Sequence, residues 1–194
     1  HKIRKAILER RAEASIREHE RREADIINFL PYATFAIDMK GVVIAWNRAM
    51  EKMTGMKAAD ILGKGGYEYA IPFYKIRRPI LIDLVLDNNP ATAVQYPYIR
   101  REGKTLFSEI GIPHFNDGRG ATLWFTASPL YDTRGNIVGA IESIREITER
   151  KRAERALDES EKRFRELADL LHQVVYEADV NGNLVYANHI AFEL

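Results

Sequence analysis

The stretch NIVGAIESIREITERK, residues 136–151, decides how this chain is read. Its first part alternates: Ala140, Glu142 and Ile144 fall on one side of an extended backbone, and Ile141, Ser143 and Arg145 on the other. A period of two with Ile and Val predicts a strand that ends near Thr148. From Glu149 the pattern changes to ERKRAERALDESEKRFRELADLLHQVV, free of Gly and Pro, which predicts a helix. Ala153, Leu157, Ser160, Phe164, Leu167, Leu171 and Val174 follow a 4-3 spacing, a short coiled-coil seam with Ser160 as its weak position.

Upstream, two more period-two runs precede this strand. TLFSEIGIPHF and ATLWFTASPLYD are separated by NDGRG (116–120), and TRGN (133–136) leads into the third strand. Leu123, Phe125 and Ala127 share one face of their strand, Trp124, Thr126 and Ser128 the other. A further short strand is expected over Val94–Arg100, turning at Glu102-Gly103. RRPILIDLVLDNNP predicts a helix with Pro79 near its start, and KAADILGKG a turn or two more. Before these, Phe35 and Ile37 alternate into a turn at Asp38–Gly41, Val42–Trp46 form a second strand, and Asn47 suits the N-cap of a short helix. Residues 1–30 are rich in Ala, Glu, Arg and Ile and predict a helix whose apolar stripe includes Ile16, Ile27 and Leu30.

The first hairpin recurs. Shifted by 141 positions, DVNGNLVYANHIAFEL (179–194) falls on it, Asp179 on Asp38, Gly182 on Gly41 and Asn188 on Asn47. Each copy follows a charged helical stretch. A repeat of domain length implies tandem domains and not a solenoid. With His1 as its first residue, the chain is expected to be a piece of a longer polypeptide that ends just inside a second domain.

Composition excludes several classes. The 194 residues are 46% hydrophobic and 29% charged, which suits a globular domain with extra segments. Lys+Arg 29 against Asp+Glu 28 leaves +1, with no overall field toward nucleic acid or membrane. The absence of cysteine excludes disulfides, thiolate nucleophiles and Cys-ligated metals. The five histidines form no pair at metal-ligand spacing. Gly103-Lys104-Thr105 lacks the earlier glycine of a phosphate loop, since Tyr98 stands there, and a hairpin turn accounts for it.

Strand, Asp-x-x-Gly turn, strand, Ala-Trp-Asn, short helices and three strands closing on Arg145-Glu146-Ile147-Thr148-Glu149-Arg150-Lys151 resemble a PAS sensory domain. The resemblance covers about residues 28–151 and begins again from about Glu161. It departs from the family's usual closing motif at Glu146, which stands in place of Asp. It implies an α+β fold: an antiparallel sheet of five or six strands with short helices on one face, flanked by helices. The expected division is a linker helix over 1–30, the PAS domain over 31–148, a coiled-coil linker over 149–171 and the start of a second PAS domain over 172–194.

The same resemblance turns Leu123, Phe125, Ala127, Ala140, Glu142 and Ile144 inward. Strand alternation and the i, i+3 spacing of the methionines put Phe35, Ile37, Met50, Met53, Leu84, Phe125, Glu142 and Ile144 around one ligand cavity, the alternative being that they fill a solid core. An inward carboxylate needs a partner, so Glu142 is either a ligand contact or one half of a salt bridge to Arg77 or Arg78. Haem is not expected, because the helix ILIDLVLDN carries no His, nor a covalent flavin adduct, because there is no Cys. No cofactor is expected, with noncovalent flavin as the alternative. Arg145, Glu146, Thr148 and Arg150 are expected to relay signal, and no catalytic residues are expected in this stretch. Ile16, Ile27, Leu30, Trp124 and Ile141 are the expected interface of a parallel homodimer, with the N-terminal helix packing over Trp124 of its own chain or of its partner. The implied setting is the cytoplasmic sensory region of a bacterial or archaeal sensor histidine kinase. Its partners would be itself and a small molecule, with no nucleic acid and no direct membrane contact. A ligand-free dimerisation spacer is the alternative.

Overall fold

The computed structural model describes residues 25–192 except 88 and 117, together with Glu18. Ile16 and most of the expected 1–30 helix lie outside the described residues; Glu18 and residues 25–29 are helical. The chain divides into two compact units, one reaching Ile147 and the other starting at Thr148.

The first unit is built on β1 (Ala33–Asp38), β2 (Val43–Trp46), β3 (Ile99–Glu102), β4 (Thr105–Ile112), β5 (Ala121–Tyr131) and β6 (Ile137–Glu146). They form one antiparallel sheet in the order β2-β1-β6-β5-β4-β3. The last strand of this sheet, β6, therefore lies beside the first. Between β2 and β3 run the short helices α1 (Arg48–Thr54), α2 (Ala58–Ile61), α3 (Ile71–Tyr74), α4 (Leu81–Leu86) and α5 (Pro90–Ala93), with a 3-10 turn at Glu68–Ala70. This is the α+β arrangement expected.

Local chemistry explains the boundaries. Asn47 Oδ1 accepts from Met50 N at 2.8 Å and starts α1; Gly55, at φ +74°, ends it. Asn89 Oδ1 accepts from Ala91 N at 2.9 Å and Pro90 takes the first position of α5. The region after Pro79 differs from expectation. The helix begins only at Leu81, because Asp83 reaches back to the Ile80 N–H at 2.7 Å and fixes Ile80 as the cap. Residues 94–98 are not strand; α5 occupies Pro90–Ala93 and β3 starts at Ile99.

Alternation sorts the two faces as expected. Phe35, Ile37, Leu106, Leu123, Phe125, Ala140 and Ile144 point inward and join Met50, Ile61, Tyr69, Phe73, Leu81 and Leu84 in one buried core. The α4 helix lies across β4, β5 and β6. The outer face carries Thr34 against Ser143 (3.0 Å between hydroxyls) and Thr105 against Ser128 (2.8 Å).

The second unit has α6 (Thr148–Leu170), then β7 (Tyr176–Ala178) paired with β8 (Leu184–Ala187), then a 3-10 turn at His189–Phe192.

Candidate functional site

The site grows from one residue. Glu142 sits mid-way along β6, in register with Phe35 of β1 and Ala127 of β5, and is 0% exposed. Neither carboxyl oxygen has a hydrogen-bond partner. Over it come side chains from the helical layer: Tyr74 at the end of α3, Arg78 in the loop before α4, and Tyr96 after α5. The hydroxyls of Tyr74 and Tyr96 and the Nε of Arg78 are also buried and unpartnered. Among the described residues, six buried side-chain polar atoms lack a partner, and five belong to these four residues. Such atoms are rare in native interiors, so five in one place define a site.

Burial is the main cause that pushes the Glu142 carboxyl well above its usual range, and the charge of Asp83 adds to it. The Ile82 N–H offsets a little of this without reaching hydrogen-bond geometry. Burial likewise raises the Tyr74 and Tyr96 hydroxyls, and the Glu142 charge raises both further. The two hydroxyls interact but do not align as a hydrogen bond. Beside them, Tyr69 donates to Asp83 Oδ1 at 2.5 Å, and burial raises Asp83 despite its bond from Ile80 N. Two phenols and a guanidinium, all able to donate, accompany the buried carboxyl.

The expected salt bridge to Arg77 or Arg78 does not form. Arg77 pairs with Glu68 at 2.6 Å, and the Arg78 guanidinium lies 3.9 Å from the Tyr74 ring centre. The aromatic face lets Arg78, only half-buried, hold its charge without full desolvation, which a pair with fully buried Glu142 would require.

Of the expected pocket residues, Phe35, Ile37, Met50, Leu84, Phe125 and Ile144 are brought together in the core beside Glu142, and Met53 packs against its edge. Three surface clefts accompany them, and none is lined by Glu142. One of about 320 Å³ has Asp83, Tyr67, Leu86 and Thr92 in its wall. One of about 540 Å³ holds Met53, Ile144 and Arg145. The largest, about 650 Å³, lies between Ile27, Asn28, Ile44 and Trp46. Among the described residues no three His, Asp or Glu side chains are grouped as a metal would need.

The expected relay residues follow one another out of the sheet. Arg145 stacks its guanidinium 3.6 Å from the Tyr32 ring centre. Glu146 accepts from Asn116 Nδ2 at 3.3 Å, Thr148 opens α6, and Arg150 pairs with Glu154 at 3.2 Å. The expected cover over Trp124 by the N-terminal helix of the same chain or of a partner falls mostly on positions outside the described residues. Residues 25–29 dock beside β2, where Asn47 Nδ2 donates to Ile27 O and Arg48 N donates to Asn28 Oδ1 at 3.1 Å. Trp124 is half-buried under Phe107 (6.1 Å between ring centres) and Arg100 (6.0 Å), because the β4 and β3 neighbours reach it first. Ile141 is half-buried, as is Ile27, and Leu30 is exposed.

Tyr74 and Tyr96 escaped the sequence reading because their segment has no period. A signal existed: five of the nine tyrosines fall between 67 and 98. Buried tyrosines need polar partners, so clustered tyrosines in a helical cover point to a polar interior.

The PAS fold family matches residues 28–152, more than half of the chain, and the chain belongs to that family. No curated protein sequence matches it. Among solved structures, the PAS domain of BvgS from Bordetella pertussis is similar at 19% identity and a TM-score of 0.46, covering 74% of this chain and 98% of that one. A PAS domain from Colwellia psychrerythraea is similar at 19% identity and 0.44, covering 66% and 97%. A phage VqmA-DPO complex is similar at 19% identity and 0.46, covering 76% of this chain and 62% of that one.

Proposed function

We propose that this chain is the ligand-sensing module of a signalling protein, a sensor histidine kinase, and that it binds a small molecule between the sheet and the short helices. The observation that carries this reading is the fully buried Glu142 with both oxygens unpartnered, beneath three further unpartnered polar groups. A structural role would have paired them, since an unpaired buried polar group costs about 1–3 kcal/mol. Glu142 and the end of the sheet share one strand: β6 runs from Ile137 to Glu146, and α6 opens two residues later. A ligand that draws the helical layer toward Glu142 changes the packing on β6 and biases the helix that continues the chain, a two-state relay. Arg145, Glu146, Thr148 and Arg150 are the relay in this reading. The catalytic residues of the kinase lie outside this stretch, and the working partners are a small molecule and a second copy. The near-zero net charge gives nucleic acid no electrostatic hold, and among the described residues no helix is long and apolar enough to cross a membrane. A cytoplasmic place for the module is part of the same proposal.

One observation favours the second reading, a dimerisation spacer: the α6 seam leaves Leu157, Phe164 and Leu167 exposed. Native mass spectrometry separates the two. After incubation with a small-molecule extract of cells, the sensor reading expects a bound mass that Glu142→Leu abolishes. A dimer that never acquires a bound mass leaves only the spacer.

A further inference from the structure

The chemistry of the enclosed groups narrows the ligand class, and this inference rests on the sensor reading. Tyr74 and Tyr96 each bring one O–H donor and an acceptor oxygen, Arg78 Nε–H is a donor, and a carboxylic acid at Glu142 has one of each. Charge then discriminates. A charged ligand of either sign would have to give up its hydration beside a fully buried carboxyl, which an uncharged molecule avoids.

We propose that the interior site takes a small uncharged molecule bearing a carbonyl oxygen next to an N–H or O–H donor, paired with both oxygens of Glu142 and capped by the hydroxyls of Tyr74 and Tyr96. Such a molecule closes two hydrogen bonds with a carboxylic acid at once. The second lone pair of its carbonyl oxygen takes one of the phenol donors. Admission requires the cover to part, and α3, α4 and α5 are each too short to be stable apart from their packing.

The test uses three probes of similar size and different charge: propionamide, propionate and propylammonium, each at about 50 mM, with thermal unfolding followed by tryptophan fluorescence. Propionamide is expected to raise the melting temperature by about 2 °C or more, and the other two to leave it in place. Glu142→Leu and Tyr96→Phe should each abolish or halve that rise. Glu142→Gln, which keeps one donor and one acceptor, should retain it. Should Glu142→Leu not fold, Tyr96→Phe and Glu142→Gln decide. A rise with propionate or propylammonium that depends on Tyr96 overturns the ligand class and leaves the sensor reading intact. No rise with any probe rejects the class, and if mass spectrometry also finds no bound molecule, the sensor reading falls with it.

Discussion

In the hairpin that ends at Asn47, the Asp38 carboxylate accepts from Lys40 N at 2.8 Å and Val42 N at 2.9 Å. Asn47 Nδ2 donates to Tyr32 O at 2.8 Å and to Ile27 O at 3.3 Å, while its Oδ1 accepts from Thr34 N at 3.0 Å. In the hairpin 141 positions on, Asp179 accepts from Asn181 N and Asn183 N, each at 2.9 Å. Asn188 Nδ2 donates to Gln173 O at 2.9 Å and Ala168 O at 2.8 Å, and its Oδ1 accepts from Val175 N at 2.9 Å. The register shifts also correspond, at Ala36/Ile37 and at Glu177/Ala178. Burial does not correspond. Phe35 is 0% exposed and its counterpart Tyr176 is 68% exposed. The first hairpin is two strands of a six-stranded sheet; the second pairs only with itself among the described residues. Turn and latch geometry are thus written locally, whereas burial needs strands from far along the chain.

Six changes break or sharpen this comparison, each read by denaturant unfolding. Both tryptophans, Trp46 and Trp124, lie in the first unit, so their fluorescence reports that unit. The largest effect is expected from Gly139→Ala, since a Cβ there collides with the Ile37 carbonyl in the β1–β6 seam that only the first hairpin has. We expect a loss of about 3 kcal/mol; a loss below about 1 would mean the seam tolerates a side chain. Asn47→Ala removes the latch and the helix cap together and should cost about 2–3 kcal/mol. Asn188→Ala should leave the tryptophan transition unchanged, and an equal loss would show that the two units unfold as one.

Glu142 should set a pH dependence that the second hairpin cannot have. Its folded carboxyl binds a proton more tightly than the unfolded one, so its contribution is complete below the ordinary carboxylate range. It is lost as pH rises through the raised folded value, at about 1.4 kcal/mol per pH unit. Asp83 adds a loss of the same sign. Glu142→Gln should flatten most of the slope; an unchanged slope would mean that Glu142 is ionised in the folded state. The smallest effect, about 1 kcal/mol, is expected for Gly41→Ala, whose φ is +74°. The matching Gly182→Ala, at φ +83°, should leave the tryptophan signal unmoved.

Much of this was legible in residues. Alternation set the faces of β5 and β6, the 141-residue repeat gave two hairpins, and Asn47 announced its helix, because each signal depends on neighbours a few positions apart. The inward turn of Glu142 was legible too, once the family pattern fixed which face is inside. Its surroundings were not. Arg78 lies 64 positions away in the chain and was expected as its ion-pair partner, yet the guanidinium stacks on Tyr74 instead. Tyr74 and Tyr96 gave no periodic signal, since the segment from Pro79 to Tyr98 takes its shape from side-chain caps at Asp83 and Asn89 rather than from a repeat. The sequence by itself determined strands, turns and which side of each strand is apolar, all properties of local sterics and alternation. Only the tertiary structure decided that a buried acid, two phenols and a guanidinium converge unpaired, because that depends on how helices from one third of the chain settle over strands from another.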